Sequence, residues 1–515
     1  MRIQHTIVNI AAGVGNQLVI TALSFISRTV FIQSLGIEYL GVNGLFTNIL
    51  AMLSLAEAGI GSSIMYSLYK PVAEGDRDKI NKLMRLYRNA YLVIAAIVAL
   101  LGLALLPFLH EFVKNTDVPN LTGIYLIFLL NTVSPYFFSY KNAFLNVNQK
   151  GYIVTLTFSV SSIVSSLLKI GILYYTQDYI LFLIIDSLFT VGTAATLNVI
   201  ANRKYPYLKD KVKAKLDQPT KVGIVKNVKA IILQNVGSYL VLGTENILIS
   251  TYVSVAAVGL YSNYKMLIEI GRTFIYQVFN NMYHSVGNLV TMEKEDKIYS
   301  VYKVMLLLSF WLYSLFAIVL YIVIGPFITL WIGSSYLMSN SVLILLLLLF
   351  VERGMRNSIS TVKTTAGIFH EDRFVPLVQA AVSLLVSIAL VQRIGIAGVF
   401  IGSFVSALVL PFWTTPYLVY KKVFLRPVLF HYRIYAAYIV IGFGTFYAAK
   451  HLAGLVHGDG VTAIIAKSSI ASVSVMALYL IVFWKTDEFA YLRGLARLLS
   501  GKLISRIKSN KQAEV

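Results

Sequence analysis

Residues 301–324 read VYKVMLLLSFWLYSLFAIVLYIVI, a run of 24 positions with one formal charge, at Lys303. As an α-helix, such a run is long enough to cross the hydrocarbon core of a bilayer, which takes about 20 apolar residues. Similar runs recur along the whole chain of 515 residues, which is 57% hydrophobic and 13% charged. Ordinary soluble domains are about 45–50% apolar and about 25% charged, and one globule cannot hide the excess found here. The reading is an all-α polytopic membrane protein, since helices satisfy their backbone internally in lipid.

Working outward from that run, apolar helices are expected at 7–33, 39–66, 86–109, 120–145, 151–175, 179–201, 225–252, 256–286, 301–324, 337–363, 374–393, 395–420, 434–454 and 461–484, about 14 in all. Lys70-Pro71, Val118-Pro119 and Gly458-Asp459-Gly460 mark breaks between them. The first run is too long for a signal peptide's apolar region and carries Asn9, Asn16, Gln17 and Arg28, so it is read as a retained span.

Charge then orients the spans. The amino terminus, the even-numbered loops with their helix ends, and the carboxyl terminus hold 36 of the 44 Lys and Arg. The odd-numbered loops hold 3, Lys114, Arg393 and Lys450, and the spans hold Arg28, Lys169, Lys265, Arg272 and Lys467. Positive charge concentrates on the cytosolic side, so both termini are expected there. The net charge of +21 is thereby accounted for by cytosolic loops, and a nucleic-acid partner is not expected. No outer loop is large enough to be a domain. With no cysteine in the chain, disulfides, thiolate metal sites and a cysteine nucleophile are excluded. The 7 His show no metal-ligand spacing, and there is no Walker A sequence, so neither a metal centre nor direct ATP coupling is expected.

The two halves repeat at an offset of 218 residues. Leu40-Gly41-Val42 falls on Val258-Gly259-Leu260, Asp78-Lys79-Ile80 on Asp296-Lys297-Ile298, and Asn16-Gln17 on Gln234-Asn235 reversed. After a small slip, Lys141-Asn142 answers Arg356-Asn357. Six spans per half is an even number, so the repeats are parallel and a substrate pathway is expected between them. The expected organisation is a six-helix bundle at 1–202, a basic cytosolic linker at 203–224, a second bundle at 225–420, helices 13 and 14 at 421–484, and a basic amphipathic tail at 485–515. That tail places Phe489, Leu492, Leu499, Leu503 and Ile507 at helical spacing among Arg493, Arg497, Lys502, Arg506 and Lys508, a pattern suited to an anionic leaflet.

Polar residues at helical spacing mark faces turned away from lipid. Helix 1 carries Asn9, Gly13, Gln17, Thr21, Ser24 and Arg28; helix 2 carries Asn43, Thr47, Ser54, Glu57 and Gly61. Helix 7 carries Gln234, Ser238 and Glu245, next to Asn235, and helix 8 carries Ser262, Lys265, Glu269, Arg272, Tyr276 and Asn280. Ordinary helix–helix contacts also use such stripes. Three ionisable groups near the middle of helix 8 are a stronger signal, read either as a closed ion-pair ladder or as a cationic cavity for an anionic headgroup. A phosphate suits the planar fork of Arg272. Lys141, Arg353 and Arg356 add cations at the ends of helices 4 and 10. The candidate cavity set is Arg28, Lys141, Lys265, Arg272 and Arg356, with Asn16, Gln17, Asn43, Gln234 and Asn235 as polar lining. Glu57, Glu245 and Glu269 are candidates for gating or ion coupling, and Arg28 with Glu245 for an outer gate. Lys169 and Asp186 sit at equal depth on neighbouring helices and are expected to form a structural salt bridge; Lys467 is expected to snorkel outward.

Several of these residues carry a resemblance. The Asn9–Gly13–Gln17 stripe is followed by Arg28-Thr29-Val30-Phe31, Leu35-Gly36-Ile37-Glu38-Tyr39-Leu40-Gly41 and Ala56-Glu57-Ala58-Gly59-Ile60-Gly61-Ser62-Ser63. Together they resemble the amino-terminal region of bacterial polysaccharide flippases, the Wzx-type O-antigen and capsule exporters. These belong with the multidrug and toxin extrusion (MATE) antiporters and the lipid II flippase to the multidrug/oligosaccharidyl-lipid/polysaccharide (MOP) exporters. The resemblance spans the whole chain in topology and about the first 90 residues in motifs. It implies a V-shaped pair of six-helix bundles around a cavity, alternating access driven by Na+, H+ or membrane potential, and no other cofactor. The implied cargo is a polyprenyl-diphosphate-linked oligosaccharide for cell-surface polysaccharide or lipopolysaccharide biosynthesis, moved across the bacterial inner membrane. Membrane lipids and polysaccharide polymerase machinery are the implied partners, the expected state is a monomer, and no enzyme activity is expected. The alternative is an ion-coupled multidrug antiporter of the same fold.

Overall fold

The computed structural model describes residues 2–57, 60–113, 116–209, 217–368, 370–458, 460–494 and 497, and among these residues it contains helices and turns but no strand. The first half runs α1 Arg2–Leu35, α2 Ile37–Leu53, α3 Ile60–Glu74, α4 Arg77–Ala104, α5 Leu109–Phe112, α6 Leu121–Val133, α7 Tyr140–Val147, α8 Gly151–Thr176 and α9 Tyr179–Lys204. The second half runs α10 Gln218–Tyr252, α11 Val255–Met292, α12 Glu295–Trp331, α13 Asn340–Thr365, α14 Val375–Ile394, α15 Ile396–Val409, α16 Pro411–Val419, α17 Leu429–Gly454 and α18 Val461–Phe483. Among the described residues eight helices are long and apolar enough to cross a membrane, nine when α6 and α7 count as one bent span. The chain is thus a multi-pass membrane protein.

Helix ends follow the local chemistry. Asp76 accepts from Lys79 N, Asn120 from Gly123 N, and Asp178 from Ile180 N and Leu181 N, each closing an otherwise unsatisfied first turn. Three expected spans are not single helices. The span at 39–66 is interrupted by a 3-10 turn at Ser54–Glu57, and the span at 120–145 by one at Ser134–Phe137, after which the axis bends by 46° before Tyr140. Ser134-Pro135 accounts for the second break, because proline removes a backbone donor and clashes with the preceding turn. The span at 395–420 breaks at Leu410-Pro411 and ends in a π turn at Tyr420–Phe424. Hydropathy misses all three because apolarity continues across them.

The chain forms two compact units. One comprises Met1–Tyr264 and Pro376–Gly402, the other Lys265–Val375 and Ser403–Val515. In the first unit α1 packs on α8, α8 on α9, and α10 on both α2 and α3. Ile64, Leu68, Leu83, Tyr87, Val98 and Phe144 build its largest apolar core. In the second unit α12 is central and packs against α13, α17 and α18. There Phe310 stacks on Tyr438 at 4.6 Å, with Tyr479 and Phe483 beside it. Ion pairs fix the even-loop end of this unit: Arg426 to Asp296, Lys303 to Glu488, Lys363 to Asp372, and Lys422 to Glu371. The hydrogen bond from Lys422 holds the Glu371 carboxyl below its ordinary range. The start of the tail docks here too, with Phe489 stacked on Trp311 at 5.6 Å. Its positions Leu499, Leu503, Ile507, Lys502, Arg506 and Lys508 lie outside the described residues.

The repeat is visible as reciprocal packing. A Cβ on Gly41 of α2 would lie 2.0 Å from the Val255 carbonyl oxygen of α11, and one on Gly259 of α11 would lie 2.4 Å from the Ile37 oxygen of α2. The 218-residue offset exchanges these two contacts, since it carries Gly41 onto Gly259 and Ile37 onto Val255. A Cβ on Gly44 would meet Ser262, its own counterpart, at 2.9 Å. Two helices touch backbone to backbone only where side chains are absent, so the Gly41–Gly259 pair sets this crossing.

Candidate functional site

Most candidate charges are placed by their helices beside a local counterpart. In the first unit Glu57 ends the 3-10 turn between α2 and α3 and accepts from the Tyr91 hydroxyl of α4 at 2.6 Å. Tyr136, in the break of the other interrupted span, lies within electrostatic reach of Glu57. Glu245 of α10 is buried and accepts from Tyr261 of α11 at 2.9 Å. Asn246 beside it donates to the Gly44 carbonyl at 3.3 Å. Lys141 of α7 is 6% exposed and donates to Asn198 at 2.8 Å and Asn202 at 2.6 Å on α9. The Tyr140 ring lies 5.3 Å from the same ammonium. This geometry makes Lys141 a tether between α7 and α9.

Arg28, Gln17 and Asn43 are half-buried on α1 and α2. Among the described residues Arg28 makes no ion pair with Glu245. The side chains of Asn16, Gln234 and Asn235 lie outside the described residues, as do those of Asn9, Ser238 and Asn280. Lys169 meets Asp186 at 2.5 Å as expected, and Asn131 adds a 3.4 Å hydrogen bond to the same carboxylate. Lys467 reaches toward its loop and donates to the Gly458 carbonyl at 3.1 Å.

In the second unit Arg272 pairs with Glu269 one turn earlier on α11, at 2.7 Å, with each side chain a third or more exposed. Tyr313 of α12 lies within electrostatic reach of both. Lys265 is half-buried two turns from Arg272 on the same helix. The trio therefore contains one closed pair and keeps one net positive charge. Arg356 pairs with Glu352 at 3.0 Å within α13, and Tyr435 of α17 faces that pair.

The same unit holds a groove of about 280 Å³ among α12, α13 and α17. Its walls are nearly all apolar, including Phe310, Ile318, Leu347, Met355, Tyr438 and Phe443. It runs from the level of Phe310 toward Tyr321 and Tyr447, where Lys450 sits 5.6 Å from the Tyr321 ring.

Sequence reasoning found the charged residues but not the phenols and amides that hold them. Tyr87, Tyr91, Tyr136, Tyr261 and Tyr313 stand in runs rich in aromatics, where nothing local sets a hydrogen-bonded tyrosine apart from a packed one. The i, i+4 spacing of Tyr87 and Tyr91, and of Asn198 and Asn202, was the one available signal.

Neither a family model nor a curated protein matches this chain. Solved structures do match in fold. The lipid II flippase MurJ in an inward closed conformation superposes with a TM-score of 0.60 at 15% identity, covering 91% of this chain and 98% of that one. An inward-facing multidrug resistance MATE family transporter of the MOP superfamily gives 0.57 at 14% identity, covering 76% and 93%. A Vibrio cholerae MATE transporter gives 0.55 at 16% identity, covering 78% and 93%. The chain has the fold of this transporter superfamily, and these neighbours are transporters or flippases rather than enzymes.

Proposed function

We propose that the chain is a flippase that moves a polyprenyl-diphosphate-linked oligosaccharide from the inner to the outer leaflet of a bacterial plasma membrane by alternating access. The odd-loop end is then outside and both termini are cytosolic. An ion gradient, Na+ or H+, or the membrane potential supplies the driving force. The observation that carries this reading is the apolar groove on α17, a slot walled by aliphatic and aromatic side chains and built partly from a helix beyond the two expected six-helix repeats. The broader coverage by the lipid II flippase, 91% against 76–78% for the two MATE structures, supports the same assignment. The net positive charge of Lys265, Glu269 and Arg272 suits a diphosphate, and Arg272 is its bidentate partner.

Deletion of the protein from its source organism, followed by mass spectrometry of the lipid-linked glycans, tests the cargo. A completed polyprenyl-diphosphate oligosaccharide is expected to accumulate. With purified protein, Arg272→Ala is expected to weaken binding of a polyprenyl diphosphate by about tenfold or more, the effect of removing one charge-assisted contact. Native mass spectrometry or fluorescence titration reads that change. An unchanged lipid pool with new sensitivity to cationic compounds, and wild-type affinity in the variant, would sink the flippase reading.

The second reading is an ion-coupled multidrug antiporter. It is favoured by the in-helix pairing of Arg272 with Glu269 and Arg356 with Glu352, which lowers the free cationic charge. That protein would bind lipophilic cations and depend on Glu57 or Glu269. In either reading Arg28 and Glu245 form an outer gate in the state where the cavity opens inward. Each single charge reversal, Arg28→Glu or Glu245→Arg, is expected to abolish transport, and the double reversal to restore part of it. Failure of the double variant to recover any transport rules out the pairing.

A further inference from the structure

Trp311 and Trp331 stand 20 positions apart on α12. At about 1.5 Å per residue that is about 30 Å, the thickness of a hydrocarbon core. Tryptophan favours the two membrane–water interfaces, so Trp311 marks the even-loop one. Phe483, the last residue of α18, lies 6.4 Å from it. Past Phe483 the chain turns at 484–486 and is helical again over 487–494. Thr486 caps that helix, its hydroxyl accepting from Phe489 N at 3.4 Å. Phe489 stacks on Trp311 with the ring planes 20° apart, and Glu488 pairs with Lys303 of α12 at 2.6 Å. The tail therefore begins as a helix fastened to the interfacial end of the central helix of its unit.

This fastening sets up one guanidinium. Arg493, a turn after Phe489, lies 5.3 Å from that ring and 4.6 Å from the Trp484 ring. Its Nη2 donates to the Trp484 carbonyl at 3.3 Å, and its Nε is buried without a hydrogen-bond partner. Nη1 is not buried and, among the described residues, meets no acceptor. The rings and the carbonyl are neutral, so the cation keeps its charge. Nearby acids do not cancel it. Glu488 is taken by Lys303, and Asp487 is exposed and makes no ion pair with Arg493 among the described residues. Stacking fixes the plane of the fork and leaves its Nη1–Nη2 end for an oxyanion.

We propose that Arg493 and Trp484 form a headgroup site for an anionic glycerophospholipid of the cytosolic leaflet, with the lipid phosphodiester on the Nη1–Nη2 end of Arg493. The proposal rests on the orientation given above, in which the even-loop end is cytosolic, and is independent of the cargo. Position selects a lipid over a soluble phosphate. Trp484 is 51% exposed and follows directly on a 23-residue span, where acyl chains run alongside. Charge selects an anionic lipid over a zwitterionic one. Lys485 is exposed next to Trp484, and residues 485–515 hold 7 Lys and Arg against 3 Asp and Glu. An occupied site tightens the tail on α12, the helix that also lines the apolar groove.

Hydrogen–deuterium exchange on the full chain tests this in nanodiscs of phosphatidylcholine alone and of phosphatidylcholine mixed with phosphatidylglycerol. Peptides covering 484–494 are expected to exchange about tenfold more slowly in the mixed discs, the factor for one charge-assisted contact. Arg493→Gln is expected to remove that difference, and Arg493→Lys, which keeps the charge without the fork, to retain part of it. Lys485→Ala leaves the fork in place and is expected to retain most of it. Native mass spectrometry gives a second reading, in which Arg493→Gln and Trp484→Leu each retain one phosphatidylglycerol fewer than wild type. Thermal unfolding in phosphatidylcholine discs checks that each variant is folded. Equal exchange of wild type in the two lipids overturns the proposal. So does a full lipid response in Arg493→Gln, which would mean a diffuse attraction of the tail to the leaflet. Pyrophosphate giving the same protection in phosphatidylcholine discs overturns the lipid assignment. None of these outcomes bears on the cargo, which the glycan profile decides separately.

Discussion

Gly41→Leu combined with Gly259→Leu is expected to force α2 and α11 apart at their odd-loop ends. Neither new side chain has space. The Cβ positions already fall 2.0 Å and 2.4 Å from backbone oxygens of the opposite helix, and backbone cannot swing aside as a flexible side chain can. Overpacking of this kind costs about 3 kcal/mol, roughly a hundredfold in the population of this crossing. The chain contains no cysteine, so a single Ser262→Cys reports the crossing cleanly. Ser262 faces Gly44 there, and its maleimide labelling is expected to rise by an order of magnitude in the double leucine variant. Gly444→Leu, at a position with nothing within 4 Å, is the control and is expected to change neither labelling nor stability. Unchanged labelling in the double leucine variant would show that the crossing yields elsewhere, whatever happens to its yield. For a transporter, the same variant is expected to lose turnover, because the crossing has to form and part in every cycle.

Lys169→Leu alone is expected to destabilise the protein by about 3 kcal/mol, the typical penalty for leaving a buried charge without its partner. Asp186 would keep only the long 3.4 Å hydrogen bond from Asn131. In a spanning helix an ionised carboxylate that has lost its counter-charge is costly to keep. Replacing both residues, Lys169→Leu with Asp186→Leu, is expected to recover most of the loss, since the pair exists to neutralise itself. Thermal unfolding of the purified protein in nanodiscs measures both. A mild single variant, or a double variant no better than the single one, would assign the pair a role beyond structure.

These two cases differ in how legible they were. Lys169 and Asp186 could be matched from the loop between their helices, because depth in a bilayer is set by residue count and two charges at one depth on adjacent helices have little choice of partner. Gly41 and Gly259 were visible only as a repeated motif. Their meaning, a backbone contact exchanged by the repeat, needed the relative rotation of two helices far apart in sequence. Glu57 was singled out as an intramembrane carboxylate, yet the helix interruption beneath it was not foreseen. Ser54 to Gly61 stays mainly apolar and small, with no proline to announce a break, whereas Ser134-Pro135 did stand in the sequence and was passed over.

Hydropathy is a sum over neighbouring residues, and the repeat is a comparison of the chain with itself. Both are one-dimensional properties. By itself, therefore, the sequence determined that this chain is a multi-pass helical membrane protein. The partner of each buried charge is different in kind. Arg272 closes on Glu269, Arg356 on Glu352, Lys141 on Asn198 and Asn202, and Glu57 on Tyr91. A side chain's partner depends on helix rotation, on the exact place where a helix breaks, and on which neighbour arrives within 3 Å. Only the tertiary structure decided those, because hydrogen bonds and ion pairs act over distances far shorter than the uncertainty of any helix drawn from its composition.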